Sequence, residues 1–212
     1  MAKREAVIIG AGGHGREVFN WLSHAAPSDL SFLGFLDDGS PDAALLSRLG
    51  ARHLGPVQML RDMPGVEHYV GIGTPSMRRQ LADKAVQFGS APAPPVIHPQ
   101  ASVGADVILG AGCVLAPGAV VTTNVRIGRH THLSSNTVVG HDAVLGDYVS
   151  VYPGATVSGN VHIEDGVLIG TNATVIQGLQ IGADAVLGAG AAAVTDIEPG
   201  AVAVGVPARP RN

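Results

Sequence analysis

The chain has 212 residues, of which 14% are charged and 4% aromatic, with 29 glycines and a formal net charge of −4. Without any run of Lys or Arg, nucleic acid is excluded as a main partner, because phosphate neutralisation needs clustered cations. One cysteine, Cys113, allows neither an intramolecular disulfide nor a cysteine-built metal site.

Met1 to Arg4 precede an apolar run too short for a signal peptide, and no stretch is long enough to span a bilayer. The expectation is a cytoplasmic protein with no membrane partner. Ala6-Val7-Ile8-Ile9 reads as a strand buried in a parallel sheet, and Gly10-Ala11-Gly12-Gly13-His14-Gly15 follows directly. Glycines at 10, 12 and 15 have the spacing of a phosphate-cradling turn. Helical periodicity over 16–22 puts Gly10, Gly12, Gly13 and His14 at a helix N-terminus, where free N–H groups favour an anion. A second strand over 32–36 ends on Asp37 and Asp38, acids suited to a ribose hydroxyl. A third, over 69–73, leads into a helix with Thr74 as N-cap, Pro75 at the first position and Gly89 as its stop. These elements predict a small α/β, Rossmann-like domain over residues 1–90. It is too short for a two-halved dinucleotide fold, so nucleotide or nucleotide-sugar binding is expected rather than hydride transfer. Prolines 92, 94 and 95 mark a linker over 91–96.

From position 97 to 187 every sixth residue is aliphatic: Ile97, Val103, Leu109, Leu115, Val121, Ile127 and so on to Ile181 and Leu187. A hexapeptide period signals a parallel β-helix, whose short strands bury their apolar faces only when the next coil stacks on them. The residue four further on is small or apolar, from Val107 and Cys113 to Leu179 and Ala185, and forms the second inward column. In that register Cys113 is a core residue. Between the columns fall pairs such as Pro117-Gly118, Thr123-Asn124 and Gly159-Asn160, whose second member tolerates positive φ. Three such corners close one coil, so positions eighteen apart share an edge. The β-helix is read over 97–195, and 196–212 as a C-terminal tail.

His141-Asp142 falls on one of these edges, with the side-chain-free Gly159 one coil away. The corner has no need of an imidazole at 141, since the other coils carry Ala, Pro, Thr, Ser, Gly, Arg, Asp or Gln there. Imidazole suits proton transfer near neutrality. Asp142 suits fixing its tautomer, although Asp is also a favoured corner residue, as at Asp106 and Asp184. An amide near Gly159-Asn160 suits a tetrahedral oxyanion. His130, His132 and His162 are read as solvated or interface residues. His130, His132 and His141 offer no pair five apart of the kind that zinc-holding trimers resembling γ-class carbonic anhydrases use, so no metal is expected.

Gly10 to Gly15, Phe35-Leu36-Asp37-Asp38, Gly71-Ile72-Gly73 followed by Arg78, Val139-Gly140-His141-Asp142, Ser158-Gly159-Asn160-Val161 and Val204-Gly205-Val206-Pro207-Ala208 carry a resemblance over essentially the full length. The chain resembles the bacterial sugar O- and N-acyltransferases, which include sialic acid O-acetyltransferases and nucleotide-amino-sugar N-acetyltransferases. The resemblance implies a left-handed β-helix, a homotrimer and acetyl-CoA in the groove between neighbouring prisms. It further implies a nucleotide sugar held by the N-terminal domain, with Gly73 and Arg78 among the binding residues, and His141 as general base beside Asp142. Gly159, Thr171 and Ala189 match positions lining the pantetheine channel. Ser134 stands where the family often has an Asn approaching the acceptor, and Ser150 where some members have a second histidine. The acylated atom, nitrogen or oxygen, stays open. So do a free amine, amino acid or other small metabolite as acceptor, and a non-catalytic nucleotide-sensing trimer.

Overall fold

A computed structural model describes residues 3–211. Its first part is a sheet flanked by helices, running β1 (Arg4–Ile9), α1 (Gly13–Ala25), β2 (Leu30–Leu36), α2 (Ala43–Arg48), β3 (His53–Gly55), a 3₁₀ turn over Val57–Asp62, β4 (Glu67–Val70), α3 (Pro75–Gln87) and β5 (Ala91–Pro92). The five strands are parallel in the order β3-β2-β1-β4-β5. β1 is central and buried on both faces, which accounts for its unbroken apolar run. Trp21, Val18 and Leu22 of α1 cover one face; Ala82 and Ala85 of α3, with Val57 and Leu60, cover the other.

Four details differ from the sequence reading. The helix after the glycine turn begins at Gly13. The stretch 71–73 lies beyond β4, and β3 with α2 was unmarked because three residues at a sheet edge and a helix of six residues are too short to carry a clear period. Residues 91–96 are tied down, since Ala91–Pro92 pairs with β4 and Val96–Ile97 is the first strand of the solenoid. Thr74 is the N-cap of α3 with Pro75 following, and Gly89 (φ 90°) sits just past the C-cap.

The second part is a triangular prism of two-residue parallel strands forming a left-handed β-helix. One face runs through 96–97, 114–115, 132–133, 150–151, 168–169 and 186–187; a second through 102–103 to 192–193; a third through 108–109 to 180–181. Both columns point inward and are buried from Leu115 to Ala193, apart from the half-buried Leu179. Ile97 and Val103, counted in the same column, are more than a third exposed because no coil stacks beneath them. Corner residues take positive φ as expected, and His130 (53°) and Tyr148 (60°) do so as well. Part of the stretch read as a tail continues the prism: Val202–Val204 pairs with Val186–Leu187, and Arg209–Pro210 folds back antiparallel on it.

The α/β part sits on the first face of the prism. Val96, Val114 and Ala116 point outward from that face into a core shared with Trp21 and Tyr69. Among the described residues no helix is long and apolar enough to cross a membrane.

Candidate functional site

Two constellations stand apart. The first lies on the edge between the second and third faces. His141 Nδ1 and Asp142 Oδ2 are 2.7 Å apart, so Nδ1–H donates to the carboxylate and Nε2 is left as the free lone pair. Asn124, one coil below, donates from Nδ2 to the other Asp142 oxygen at 2.5 Å. The two bonds hold the Asp142 carboxyl below the usual carboxylate range, that from His141 contributing most. A methyl group at Gly159 would lie 2.5 Å from His141 Nε2 and 2.6 Å from Cε1, so the imidazole occupies the space a side chain would fill. Of the two amides expected to face an oxyanion, that of Asn160 is committed to the His141 carbonyl at 2.7 Å.

The second constellation is a cleft of about 210 Å³ between the glycine turn and the first face, lined by His14, Glu17, Gly73, His132, Ser134, Ser150, Tyr152 and Pro153. Three expected residues, His14, Gly73 and Ser134, meet here. Glu17, Tyr152 and Pro153 are not singled out by the sequence and His132 is read there only as a solvated or interface residue, because nothing in sequence says which outward-facing positions of the prism an α/β domain will cover.

His14 Nδ1 lies 3.3 Å from Glu17 Oε2 and its Nε2 lies 2.9 Å from His132 Nδ1. The carboxylate assigns the proton to Nδ1 of His14, so its Nε2 accepts from His132. Burial pushes both rings below the ordinary imidazole value, and they are neutral. His14 therefore walls the cleft with both nitrogens engaged, and His132 Nε2 has no partner among the described residues. Reading His132 as solvated fails for the same reason: it points out of the prism and under the α/β part.

The glycines divide in two. A methyl at Gly15 would come within 1.9 Å of the Gly10 carbonyl, and one at Gly10 within 2.8 Å of Ile72, so both serve close packing. Methyls at Gly12 and Gly13 would meet nothing within 4 Å; these two face open space at the start of α1. Asp37 accepts the Ala11 and Gly39 amides at 2.7 and 2.8 Å and thereby shapes the turn. Asp38 is taken by the Val57 amide and by Lys84, 2.8 and 2.9 Å away. Arg78, expected at the substrate, is fully buried with its guanidinium donating to protein acceptors, because α3 turns it inward toward the prism. Gly159 lies on the edge of His141, whereas Thr171 and Ala189 lie on the edge between the first and second faces. Cys113 is buried, its thiol donating to the Gly128 carbonyl at 2.9 Å and pushed up to about 12 by burial.

Residues 5–85 match the PglD N-terminal domain, and residues 124–159 match the bacterial transferase hexapeptide of six repeats. The chain is 30% identical over 167 residues to GDP-perosamine N-acetyltransferase of Escherichia coli, covering 76% of this chain and 73% of that one. It therefore belongs to the hexapeptide-repeat sugar acyltransferase family, and it is an acyltransferase. Among solved structures it is similar to PerB from Caulobacter crescentus in complex with CoA and GDP-perosamine, at 31% identity and a TM-score of 0.86 over 98% of this chain and 97% of that one. It is also similar to the acetyltransferase domain of PglB from Neisseria gonorrhoeae in complex with acetyl coenzyme A, at 31% identity and a TM-score of 0.87 over 99% and 100%.

Proposed function

We propose that this chain transfers the acetyl group of acetyl-CoA to an amino group of a nucleotide-linked sugar, with His141 as general base. The observation that carries the reading is the His141 ring, fixed at Nδ1 by Asp142 and lying with Nε2 over the bare backbone of Gly159. As the acceptor nitrogen attacks the thioester carbonyl, its proton passes to Nε2, and the imidazolium so formed is stabilised by Asp142. The Gly159 amide is the remaining donor for the tetrahedral oxyanion. Collapse breaks the C–S bond, and the departing thiolate takes the proton back from His141. The acceptor's nucleotide belongs in the cleft beside Gly12, Gly13 and Gly73, where relatives of known ligand complexes suggest GDP-perosamine as the first acceptor to try.

In one chain the cleft lies on the first face and His141 on the opposite edge, with the aliphatic interior between them. Base and cleft meet at one acceptor only when two copies contribute them. A closed threefold ring, giving every base a neighbour's cleft, supplies that arrangement. The same ring brings the Gly159 edge of one copy against the Thr171 and Ala189 edge of the next, a groove for the pantetheine arm.

Thiol release from acetyl-CoA against GDP-perosamine and other GDP-, UDP- and dTDP-linked amino sugars tests the reading, with sedimentation giving the assembly state. Turnover by a trimer, lost about 10²–10⁴-fold in His141→Ala, is the expected result. Turnover surviving in His141→Ala removes the base, and silence across the panel with CoA still bound moves the acceptor elsewhere.

A further inference from the structure

Arg78 is fully buried, and every acceptor around it is neutral. Nε donates to the His130 carbonyl at 2.8 Å, Nη1 to the carbonyls of Ile72 and Gly73 at 2.7 and 3.0 Å, and Nη2 to the carbonyls of Tyr148 and Val149 and to Ser150 Oγ at 2.8, 3.0 and 2.9 Å. Burying a cation without a counterion is costly, and an apolar side chain filling the same space would cost less. Stability alone thus gives no reason for a guanidinium here.

What the planar fork does, and an apolar residue cannot, is hold one short segment against two coils of the prism. Ile72 and Gly73 lie between β4 and α3, and the other acceptors come from the corner at 130 and from 148–150, where the next corner runs into the first face. Gly73 is gripped from a second side as well, since Ser150 Oγ–H donates to its carbonyl at 2.7 Å. Gly73 and Ser150 both line the cleft, and a methyl at Gly73 would come within 3.2 Å of the Tyr152 hydroxyl opposite.

We propose that Arg78 is a positioning residue that sets the separation between the 72–73 segment and the prism, and thereby the fit of the nucleotide-linked acceptor in the cleft. The inference rests on the reading that the cleft takes the acceptor. It assigns Arg78 no contact with either substrate, and none of the acceptors of its guanidinium lies on the Gly159 edge or in the coils of Thr171 and Ala189.

The test compares wild type with Arg78→Lys, which keeps the charge and loses the fork, and with Arg78→Gln. Steady-state constants for both substrates are measured together with hydrogen exchange of the folded protein. Expected for Arg78→Lys is a rise of about tenfold in KM for the nucleotide sugar, from misplacement of a binding wall. KM for acetyl-CoA and kcat stay within about twofold, and exchange accelerates at 72–74 but not in the coils at 156–175. A purely structural tie would lower the melting temperature and the active fraction with both KM values unchanged, and that result overturns the proposal. Where the Arg78 variants do not fold, Ser150→Ala removes the second grip on Gly73: a rise of about threefold in the same KM supports the inference, and an unchanged KM overturns it. If wild type turns over no nucleotide-linked sugar, the functional reading falls. Arg78 is then judged by exchange at 72–74, where wild-type rates in Arg78→Lys overturn its role.

Discussion

Gly159→Ala isolates the geometry of the base. The added methyl would stand 2.5 Å from His141 Nε2, 2.6 Å from Cε1 and 3.0 Å from Cδ2. Unstrained contacts begin near 3.5 Å, so the ring must retreat by about 1 Å. It cannot do so while keeping the 2.7 Å bond from Nδ1 to Asp142. The backbone raises no objection, since Gly159 is not among the residues with positive φ. His141 is half exposed, its side chain 54% accessible, and can swing outward at little cost to the fold. Stability is therefore expected to change by less than about 1 kcal/mol, with the entropic gain of replacing glycine offsetting residual crowding. A displacement of this size at a reacting group costs about 10²-fold in rate, or about 2.7 kcal/mol of barrier. Thiol release gives kcat, urea unfolding gives stability, and calorimetric titration with CoA checks that the methyl does not act by blocking the groove. Wild-type kcat in a folded Gly159→Ala variant would refute both the placement of Nε2 over Gly159 and its use as the base.

Asp142→Asn keeps the corner conformation while removing the charge that holds the Nδ1 proton; kcat is expected to fall at least about tenfold with CoA affinity unchanged, and an unaltered kcat would reduce Asp142 to a corner residue. Burial holds His68 down to about 4 and His130 down to about 3, both neutral in the stacked arrangement His68–His130–Tyr148. The unfolded chain takes up these protons first, so this contribution is complete above about pH 6.5 and is lost as pH falls toward 4. Two such groups cost about 4 kcal/mol between pH 7.5 and pH 5, and equal urea midpoints at the two pH values would contradict the burial of these rings. Cys113 is expected to resist maleimide in the native protein and react on unfolding, because burial suppresses its thiolate; rapid native labelling would show that the prism opens.

How much of this was legible in sequence depended on whether a feature repeats. A strict six-residue period must be satisfied by every coil, so the two inward columns, the corner positions and the stacking of His141 beneath Gly159 follow from spacing alone. Gly10 and Gly15 were likewise readable, because a tight strand-to-helix turn requires small residues; Asp37, read as an acid for a ribose hydroxyl, instead accepts the amides of Ala11 and Gly39. Nothing periodic announces where one unit lies upon another. The covering of the first face by α1 and α3 turned His132 from a surface residue into the partner of His14, and Arg78 from an expected ligand into a bolt between two coils. It also put the cleft and His141 on opposite sides of the prism. Local spacing determines which way a side chain leaves its own strand; only the packing of distant segments decides what it then meets.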